Sequence, residues 1–185
     1  MLTDYHKTLL QIARDAIGER FSIAGVVNIT EAIDKYPELL EPGAVFVTIT
    51  QKGQLKGCIG TIEPYRSLLD DIIGNAKSAA FSDSRFKPLK PHEIDGVDIE
   101  ISILSKPQPV DYDSVETLKK MVKPMIDGVV LSKGYHRAVF LPQVWEKVSG
   151  FDEFFNHLCR KAGLPGTCIY DLPKIEKFTV TKIEE

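Results

Sequence analysis

The stretch AVFVTITQKGQLKGCIGTI, residues 44–62, decides how the first half of this chain folds. Two runs rich in β-branched residues, 44–50 and 54–62, flank a short polar turn that contains Gly53. Strand-like runs on either side of a short turn with glycine are typical of a β-hairpin. We therefore predict two antiparallel strands here.

The register of this hairpin decides which face of the sheet Cys58 occupies. If Thr50 pairs with Leu55, an unbroken register places Cys58 opposite Val47, in an apolar environment. A pairing shifted by one residue places it opposite Thr48 instead. Such a shift moves every side chain of the strand to the other face of the sheet. The turn sequence leaves both registers open.

The remaining sequence mixes helical and strand patterns. Apolar spacing predicts a helix near the N-terminus, a second helix capped by Ser67 and a third after Gly150. Alternation predicts a strand over 97–104, a second hairpin over 128–142 and a further strand close to the C-terminus. Hairpins among the strands favour an α+β fold with a mostly antiparallel sheet and flanking helices. We expect one domain over residues 1–185, with a larger and a smaller lobe.

Composition excludes several classes of protein. The chain has 185 residues, 43% of them hydrophobic, and a formal net charge of −3, which is typical of a globular domain and gives no reason to expect nucleic acid as a partner. No apolar run approaches the roughly 18 residues that span a bilayer. The N-terminal segment has an amphipathic pattern in place of an export signal. We therefore expect a cytoplasmic protein without a membrane partner.

The cysteines and histidines give no metal or disulfide signature. Three cysteines without tight spacing do not form a disulfide framework, so we expect free thiols in a reducing compartment. Cys159 lies on the apolar stripe of its predicted helix, which favours core packing, and His157 lies on a different face. No nucleotide, metalloprotease or C-x-x-C motif is present in the sequence. We expect no metal and no cofactor.

Residue chemistry leaves two interpretations of Cys58 open. A free cysteine is often a small, buried apolar residue with no chemical role. Alternatively, Gly57 and Gly60 leave space around its thiol, and Lys56 shares its face in a regular strand. A nearby cation favours the reactive thiolate.

Five further polar residues are candidates for a site: Asp83, Arg85, Glu100, His136 and Arg137. Each also has a structural interpretation as a turn cap, a surface ion pair or a charge that faces water. For any one of them alone the structural interpretation is the better one. Nothing in the spacing brings a histidine next to a cysteine as its base.

Several segments, taken in order, resemble one known family. LKGCIGTI is similar to the leucine–basic–glycine–cysteine–isoleucine–glycine signature of the AMMECR-type domain. The similarity continues in GAVFVTI, AAFSDSRFKPL, VDIEISIL, FLPQVW and FFNHLCRKAGL, which extend from about residue 5 to 180. The chain departs from the pattern at Lys56, where arginine is commoner, in DSRF, which replaces Asp-Pro-Arg-Phe, and at His136, where many relatives have a basic residue.

The resemblance implies an α+β fold in which the cysteine motif lies near a groove between a main sheet and a smaller lobe. It also implies association with a Memo-like domain and a radical S-adenosylmethionine enzyme, and it brings no established reaction. We expect an enzyme component that acts on a small molecule or a protein, with the alternative of a non-catalytic scaffold. In the first case the catalytic candidates are Cys58 as nucleophile or covalent carrier, Glu100 for proton transfer, and His136. The substrate-binding candidates are Lys56, Gly57, Gly60, Asp83, Arg85 and Arg137.

Overall fold

The computed structural model describes residues 2–185, which form two compact units. The first unit contains residues up to 104 together with 181–185, and the second contains residues 105–180. Both units combine helices with antiparallel strand pairs. The predicted α+β class is therefore confirmed.

The first unit has a sheet with the strand order β2-β1-β4-β9, to which the short β3 adds by pairing with β1. Its elements are α1 (Asp4–Glu19), α2 (Ile29–Lys35), a 3-10 helix (Pro37–Leu40), β1 (Pro42–Gln51), β2 (Gln54–Gly60), β3 (Arg66–Ser67), α3 (Leu68–Phe81), a 3-10 helix (Pro91–Gly96), β4 (Asp98–Leu104) and β9 (Val180–Glu184).

The second unit has a sheet with the strand order β5-β8-β6-β7. Its elements are β5 (Gln108–Pro109), α4 (Val115–Met121), β6 (Gly128–Lys133), β7 (His136–Phe140), a 3-10 helix (Pro142–Lys147), α5 (Phe151–Lys161), a 3-10 helix (Cys168–Asp171) and β8 (Lys174–Phe178). The predicted hairpin over 128–142 is present as β6 and β7. The single strand predicted near the C-terminus is two strands, β8 and β9, which belong to different sheets.

Side-chain caps start α1 and α3, the two helices of the first unit that the sequence predicts. The hydroxyl of Thr3 accepts the backbone N–H of His6 at 3.2 Å, and Ser67 accepts that of Asp70 at 3.1 Å. Both helices share one buried apolar cluster with the sheet, to which the strands contribute Val45, Val47, Ile49, Ile99 and Ile101. The strand residues between these positions face the opposite side of the sheet, where the polar side chains lie.

The strands β4 and β9 are neighbours in the sheet, although in sequence the residues of the second unit lie between them. The end of β9 is held by Arg14 on α1, whose guanidinium forms an ion pair with Glu185 and donates to the carbonyls of Ile94 and Val97 at 2.8 Å each. The carboxylate of Glu185 also accepts the N–H of Ile99. The first unit is therefore assembled from two distant parts of the sequence.

A β-bulge fixes the register of the β1–β2 hairpin. Thr50 pairs with Leu55, yet Cys58 lies opposite Thr48, because the register shifts by one residue between these pairs and leaves Lys56 without a partner on β1. The pairing next to the turn thus follows the first register, and the pairing at Cys58 follows the second. Of the two partners that the sequence leaves open for Cys58, the structure has Thr48 and not Val47.

Protein atoms fill the space beside both glycines of the motif. A Cβ on Gly57 would lie 2.0 Å from the carbonyl oxygen of Ala79, so this glycine lets α3 approach the strand. A Cβ on Gly60 would lie 2.2 Å from the ring of Phe46, which covers the strand at that point. The two glycines therefore admit a helix and an aromatic ring, and they do not leave the open space that we predicted around the thiol.

The core of the second unit contains a disulfide bond. Cys159 and Cys168 are joined, and both are buried. Cys159 lies on the apolar face of α5 as predicted, beside the buried Phe155 and Leu158. The expectation of three free thiols is wrong, because the turn after Gly163 brings the two cysteine Cα atoms to 5.8 Å from each other.

The disulfide predicts the number of reactive thiols. The unfolded chain should titrate one thiol before reduction, that of Cys58, and three after it. Since the bridge joins residues nine positions apart, its removal by a Cys159→Ala/Cys168→Ala double substitution should lower the free energy of unfolding by about 2–3 kcal/mol. Thiol titration in denaturant and urea unfolding measure the two quantities. Three thiols titrated without reductant would contradict the bridge.

The close approach of α3 predicts a large effect at Gly57. Because its Cβ would overlap the backbone of α3, Gly57→Ala should lower the free energy of unfolding by about 1–3 kcal/mol or more. Gly96→Ala is the matched control, since a Cβ there meets only Gln51 at an ordinary 3.6 Å, and a change within about 0.5 kcal/mol is expected. Urea unfolding of the two variants tests this, and equal stabilities would refute the packing argument.

Candidate functional site

Three side chains form a row across the polar face of the first sheet. Cys58 on β2 lies opposite Thr48 on β1, and Thr48 lies opposite Glu100 on β4. Directly paired residues place their side chains on the same face, with Cβ atoms about 4.5–5.5 Å apart. The structure therefore places two predicted site residues, Cys58 and Glu100, in one row with Thr48 between them.

Cys58 is the one free cysteine in the described part of the chain, and the residue is partly exposed. The hydroxyl of Thr48 donates a hydrogen bond to its Sγ at 3.3 Å. Cys58 is thus not a fully buried residue, and its sulfur has a polar neighbour.

Asp83 and Arg85 bind the main chain of Cys58 along the edge of β2 that does not face β1. The carboxylate of Asp83 accepts the Cys58 N–H at 2.9 Å, and Nη2 of Arg85 donates to the Cys58 carbonyl at 3.0 Å. Since β2 is at the end of the strand order, these groups would otherwise be unpaired. The two side chains replace a neighbouring strand at this position.

Asp83 and Arg85 are also bonded to each other. Nε and Nη2 of Arg85 donate to the two carboxylate oxygens at 2.9 and 2.7 Å, and the Asp83 side chain is only 4% exposed. The hydrogen bonds from the Arg85 guanidinium and from the Cys58 N–H hold the pKa of Asp83 well below its usual range. The carboxylate in turn raises the pKa of Arg85. Both groups are therefore charged at neutral pH.

At the bulge, Lys56 forms an ion pair with Glu93 and does not lie beside Cys58 as in a regular strand. Its ammonium lies 3.4 Å from the carboxylate of Glu93, which also accepts the N–H of Lys90 at 2.8 Å. The Lys90 N–H and, to a smaller degree, Lys56 lower the pKa of Glu93. The cation that contacts Cys58 is therefore Arg85, and the premise of a regular strand at Lys56 is wrong.

Glu100 has protein partners on the same polar face. Its carboxylate accepts the hydroxyl of Ser102 at 3.3 Å and the ammonium of Lys182 on β9 at 3.1 Å. Its side chain is 24% exposed. Glu100 is thus in contact with solvent, and it lies on β4, the strand next to the one that carries Thr48.

His136 and Arg137 belong to the second unit, on β7. Nδ1 of His136 donates to the carbonyl oxygen of Ala162 at 2.8 Å, since that oxygen can only accept, and so the ring contacts the C-terminal end of α5. Arg137 is exposed and lies opposite Ser132 on β6. A shared site of these residues with Cys58 stays a prediction.

Sequence reasoning missed a buried polar cluster in the first unit. The carboxylate of Asp71 accepts the Val45 N–H at 2.7 Å, the Thr61 hydroxyl at 2.7 Å and Nε of Arg66 at 2.8 Å. Asn75 donates to the same carboxylate and to the Val45 carbonyl at 3.0 Å each. The available signal was the i, i+4 spacing of two polar residues on the apolar stripe of α3.

Two features are absent from the part of the chain that the structure describes. Within residues 2–185, no group of three or more His, Cys, Asp and Glu side chains is arranged to hold a metal ion. In the same range, no helix combines the length and the apolarity that crossing a bilayer requires.

The lowered pKa of Asp83 predicts a dependence of stability on pH. Because the folded pKa lies below the unfolded value of about 3.9, the stabilisation is complete above that value and is lost as pH falls toward the folded pKa. Asp83→Asn should cost about 1–3 kcal/mol at neutral pH and should reduce the loss of stability below about pH 4. Urea unfolding across pH measures this, with the exposed Asp98→Asn as control. Curves for Asp83→Asn that run parallel to wild type would contradict the assignment.

Known proteins resemble the whole chain. A sequence model of the AMMECR1 family matches residues 10–183. A protein of Methanothermobacter thermautotrophicus is 39% identical over 173 residues, which cover 91% of this chain and 87% of the relative. Protein PH0010 of Pyrococcus horikoshii is 33% identical over 193 residues, 98% of this chain and 90% of its own length.

The fold has a counterpart among solved structures. The crystal structure of PH0010, titled as an uncharacterized protein, matches with a TM-score of 0.78 and 32% identity over 100% of this chain and 93% of that one. The match extends through both compact units, as the family match does. From its sequence and its fold, the chain belongs to the AMMECR1 family.

Proposed function

We propose that this chain is an enzyme component in which Cys58 is the nucleophile or covalent carrier, on the surface around the LKGCIG motif. One observation carries the proposal. Cys58 is a partly exposed residue whose side chain lies on a polar sheet face, while its N–H and its carbonyl are both held by the ion pair of Asp83 and Arg85.

A fixed main chain suits a nucleophile, because small displacements of a reacting atom have large effects on rate. Asp83 and Arg85 are both occupied by the backbone of Cys58 and by each other. In this proposal they act as positioning residues for the thiol. Their predicted direct contact with substrate is then secondary.

The reaction class is nucleophilic displacement at an electrophilic carbon of a small molecule or a modified protein side chain. The S–H bond of Cys58 breaks, an S–C bond forms, and the leaving group departs with its electron pair. Glu100, the carboxylate in the same row, is the proposed acceptor of the proton, which reaches it by way of solvent because Thr48 lies between the two side chains. The Thr48 hydroxyl supplies a donor to the sulfur as negative charge develops there.

The partners of this activity are a Memo-like protein and a radical S-adenosylmethionine protein, and the resemblance of the motif supports this part of the proposal. His136, Arg137 and Lys56 stay candidates for contacts with a partner or a substrate. We propose that the protein acts in the cytoplasm.

A second candidate is a non-catalytic scaffold, and a specific observation favours it. Gly57 and Gly60 accommodate protein atoms, and the charges of Lys56 and Glu100 already have protein partners. In that function the motif is a rigid strand edge that docks a partner, and Cys58 contributes packing only.

Alkylation of the folded protein separates the two functions. With the disulfide intact, iodoacetamide should modify Cys58 alone, at a rate at least equal to that of the same thiol in urea-unfolded protein. Thr48→Val, which keeps the shape and removes the donor to sulfur, should slow the reaction. Mass spectrometry measures both rates, and Thr50→Val, two residues along β1 on the same sheet face, is the matched control. A folded protein that labels no faster than a buried thiol would refute the nucleophile.

Substitution of the cysteine tests the scaffold from the other side. Cys58→Ser keeps a small polar side chain, so a scaffold should bind a Memo-like partner and support its activity unchanged. The enzyme component should keep the binding and lose the activity of the assembled proteins. Titration calorimetry measures the binding, and an assay of the mixed proteins measures the activity.

A further inference from the structure

An exposed apolar turn in the second unit has no role in the site around Cys58. Residues 123–126, Lys-Pro-Met-Ile, connect α4 to β6, and we call them the 123–126 loop. All four residues are exposed, Met125 with 56% and Ile126 with 54% of its surface. Two adjacent large apolar side chains therefore lie in solvent at a position where turn sequences are usually polar.

The base of this loop is held by Asp127, whose side chain is buried. Its carboxylate accepts the N–H of Lys123 at 2.8 Å, and its own N–H donates to the carbonyl of Lys123 at 2.9 Å. The indole N–H of Trp145 donates to the Asp127 carbonyl at 2.8 Å. The loop is therefore held in one shape by its base.

The loop has the pattern of a type II turn with an unusual residue at its third position. The N–H of Ile126 donates to the carbonyl of Lys123 at 3.3 Å, with Pro124 second in the turn and Met125 third. Met125 has a φ of 66°, as a type II turn requires at that position, where glycine or asparagine is preferred. A methionine there is strained, and its exposed side chain gains little from packing inside the chain. Strain together with exposure indicates that the side chain contacts another molecule.

The backbone of the turn has few free donors. Pro124 has no N–H, and the N–H groups of Lys123, Ile126 and Asp127 are bonded within the segment itself. Among residues 123–127, the N–H of Met125 is the one backbone donor that no described residue accepts. A segment that enters a lipid layer must satisfy its backbone groups internally, because the layer offers no partners. The turn meets this requirement for every donor but one.

The charges around the tip are basic and available. Lys123 begins the loop, Lys120 lies in the last turn of α4, and both are exposed. Neither ammonium has an ion-pair partner within residues 2–185. The carboxylate nearest to the tip along the chain, that of Asp127, is buried and lies 3.4 Å from the ammonium of Lys177. The two lysines can therefore bind an anion outside the chain.

We propose that the 123–126 loop docks this chain to the surface of an anionic lipid membrane. Met125 and Ile126 enter the boundary between the headgroups and the acyl chains, while Lys120 and Lys123 contact lipid phosphates. An apolar tip beside unpaired lysines matches a bilayer surface, whose interior is apolar and whose headgroups carry the negative charge. The contact is peripheral. It revises the expectation of a chain without a membrane partner, which rests on the lack of a spanning or export segment.

The contact is weak and reversible. A lysine near an anionic membrane strengthens binding about fivefold. Two apolar side chains bury less surface than a single acyl anchor, which by itself gives only marginal attachment. Half of the chain should therefore be bound at about 1 mM accessible lipid.

Cosedimentation of the full chain with vesicles tests the docking. Phosphatidylcholine vesicles that contain about 30% phosphatidylserine should bind the wild-type chain at low salt. Vesicles of phosphatidylcholine alone should bind it about tenfold more weakly, because two lysines then lose their anionic partners. Salt at about 0.5 M should weaken binding to the anionic vesicles, since it screens the lysines.

Two substitutions separate insertion of the tip from attraction of charge. Met125→Asn, which suits the positive φ and removes the apolar side chain, and Lys123→Glu should each weaken binding to the anionic vesicles about fivefold or more. Tyr135→Ser is the control for the first, because Tyr135 is fully exposed in the same unit but lies outside the loop. Lys87→Glu is the control for the second, because it makes the same change of charge at an exposed lysine of the first unit. Both controls should bind within about twofold of wild type, and thermal melts should show all four variants folded.

Three results would overturn the proposal. They are no binding of the wild-type chain up to about 5 mM accessible anionic lipid, equal binding to vesicles with and without phosphatidylserine, and binding that Met125→Asn leaves unchanged. Sedimentation velocity without vesicles is run in parallel. Self-association that Met125→Asn abolishes, in a chain that does not bind vesicles, would assign the loop to a protein contact and would likewise refute the lipid surface. Cys58→Ser should bind vesicles as the wild type does, so this test is independent of the proposed nucleophile.

Discussion

The buried carboxylate of Asp71 is the interaction on which the first unit depends. It accepts hydrogen bonds from the main chain of β1, from Thr61 after β2, from Arg66 in β3 and from Asn75 one helical turn further along α3. A buried carboxylate with every partner in place specifies one arrangement, because the loss of any donor leaves an unsatisfied charge. The cluster thus fixes the helix against the hairpin that carries Cys58.

Local patterns determined much of this fold, and non-local contacts determined the rest. The caps Thr3 and Ser67 and the alternation of β4 were predictable because each depends on neighbours in sequence. The pairing of Cys159 with Cys168 was not, since a turn creates it. Several members of the predicted site do lie together, because a β-bulge and a return of the chain after α3 bring Asp83 and Arg85 to Cys58.

The bulge at Lys56 shows why a strand motif is hard to interpret from its amino-acid sequence alone. With Thr50 paired to Leu55, an unbroken strand would have placed Cys58 among apolar residues, and one extra residue turns it to the polar face beside Thr48. The same residue sends the lysine to Glu93. One irregularity of the backbone therefore decides both the setting of the thiol and the identity of the cation near it, which residue spacing does not encode.

The position of β9 has a consequence for the order of events during synthesis. Residues 105–180 must leave the ribosome before β9 can pair with β4 and before Glu185 can meet Arg14. Until then β4 is an open edge, whose unpaired backbone groups are prone to intermolecular pairing. The nascent chain therefore passes through an interval in which its first sheet is incomplete, and the rate of translation of the second unit sets the length of that interval.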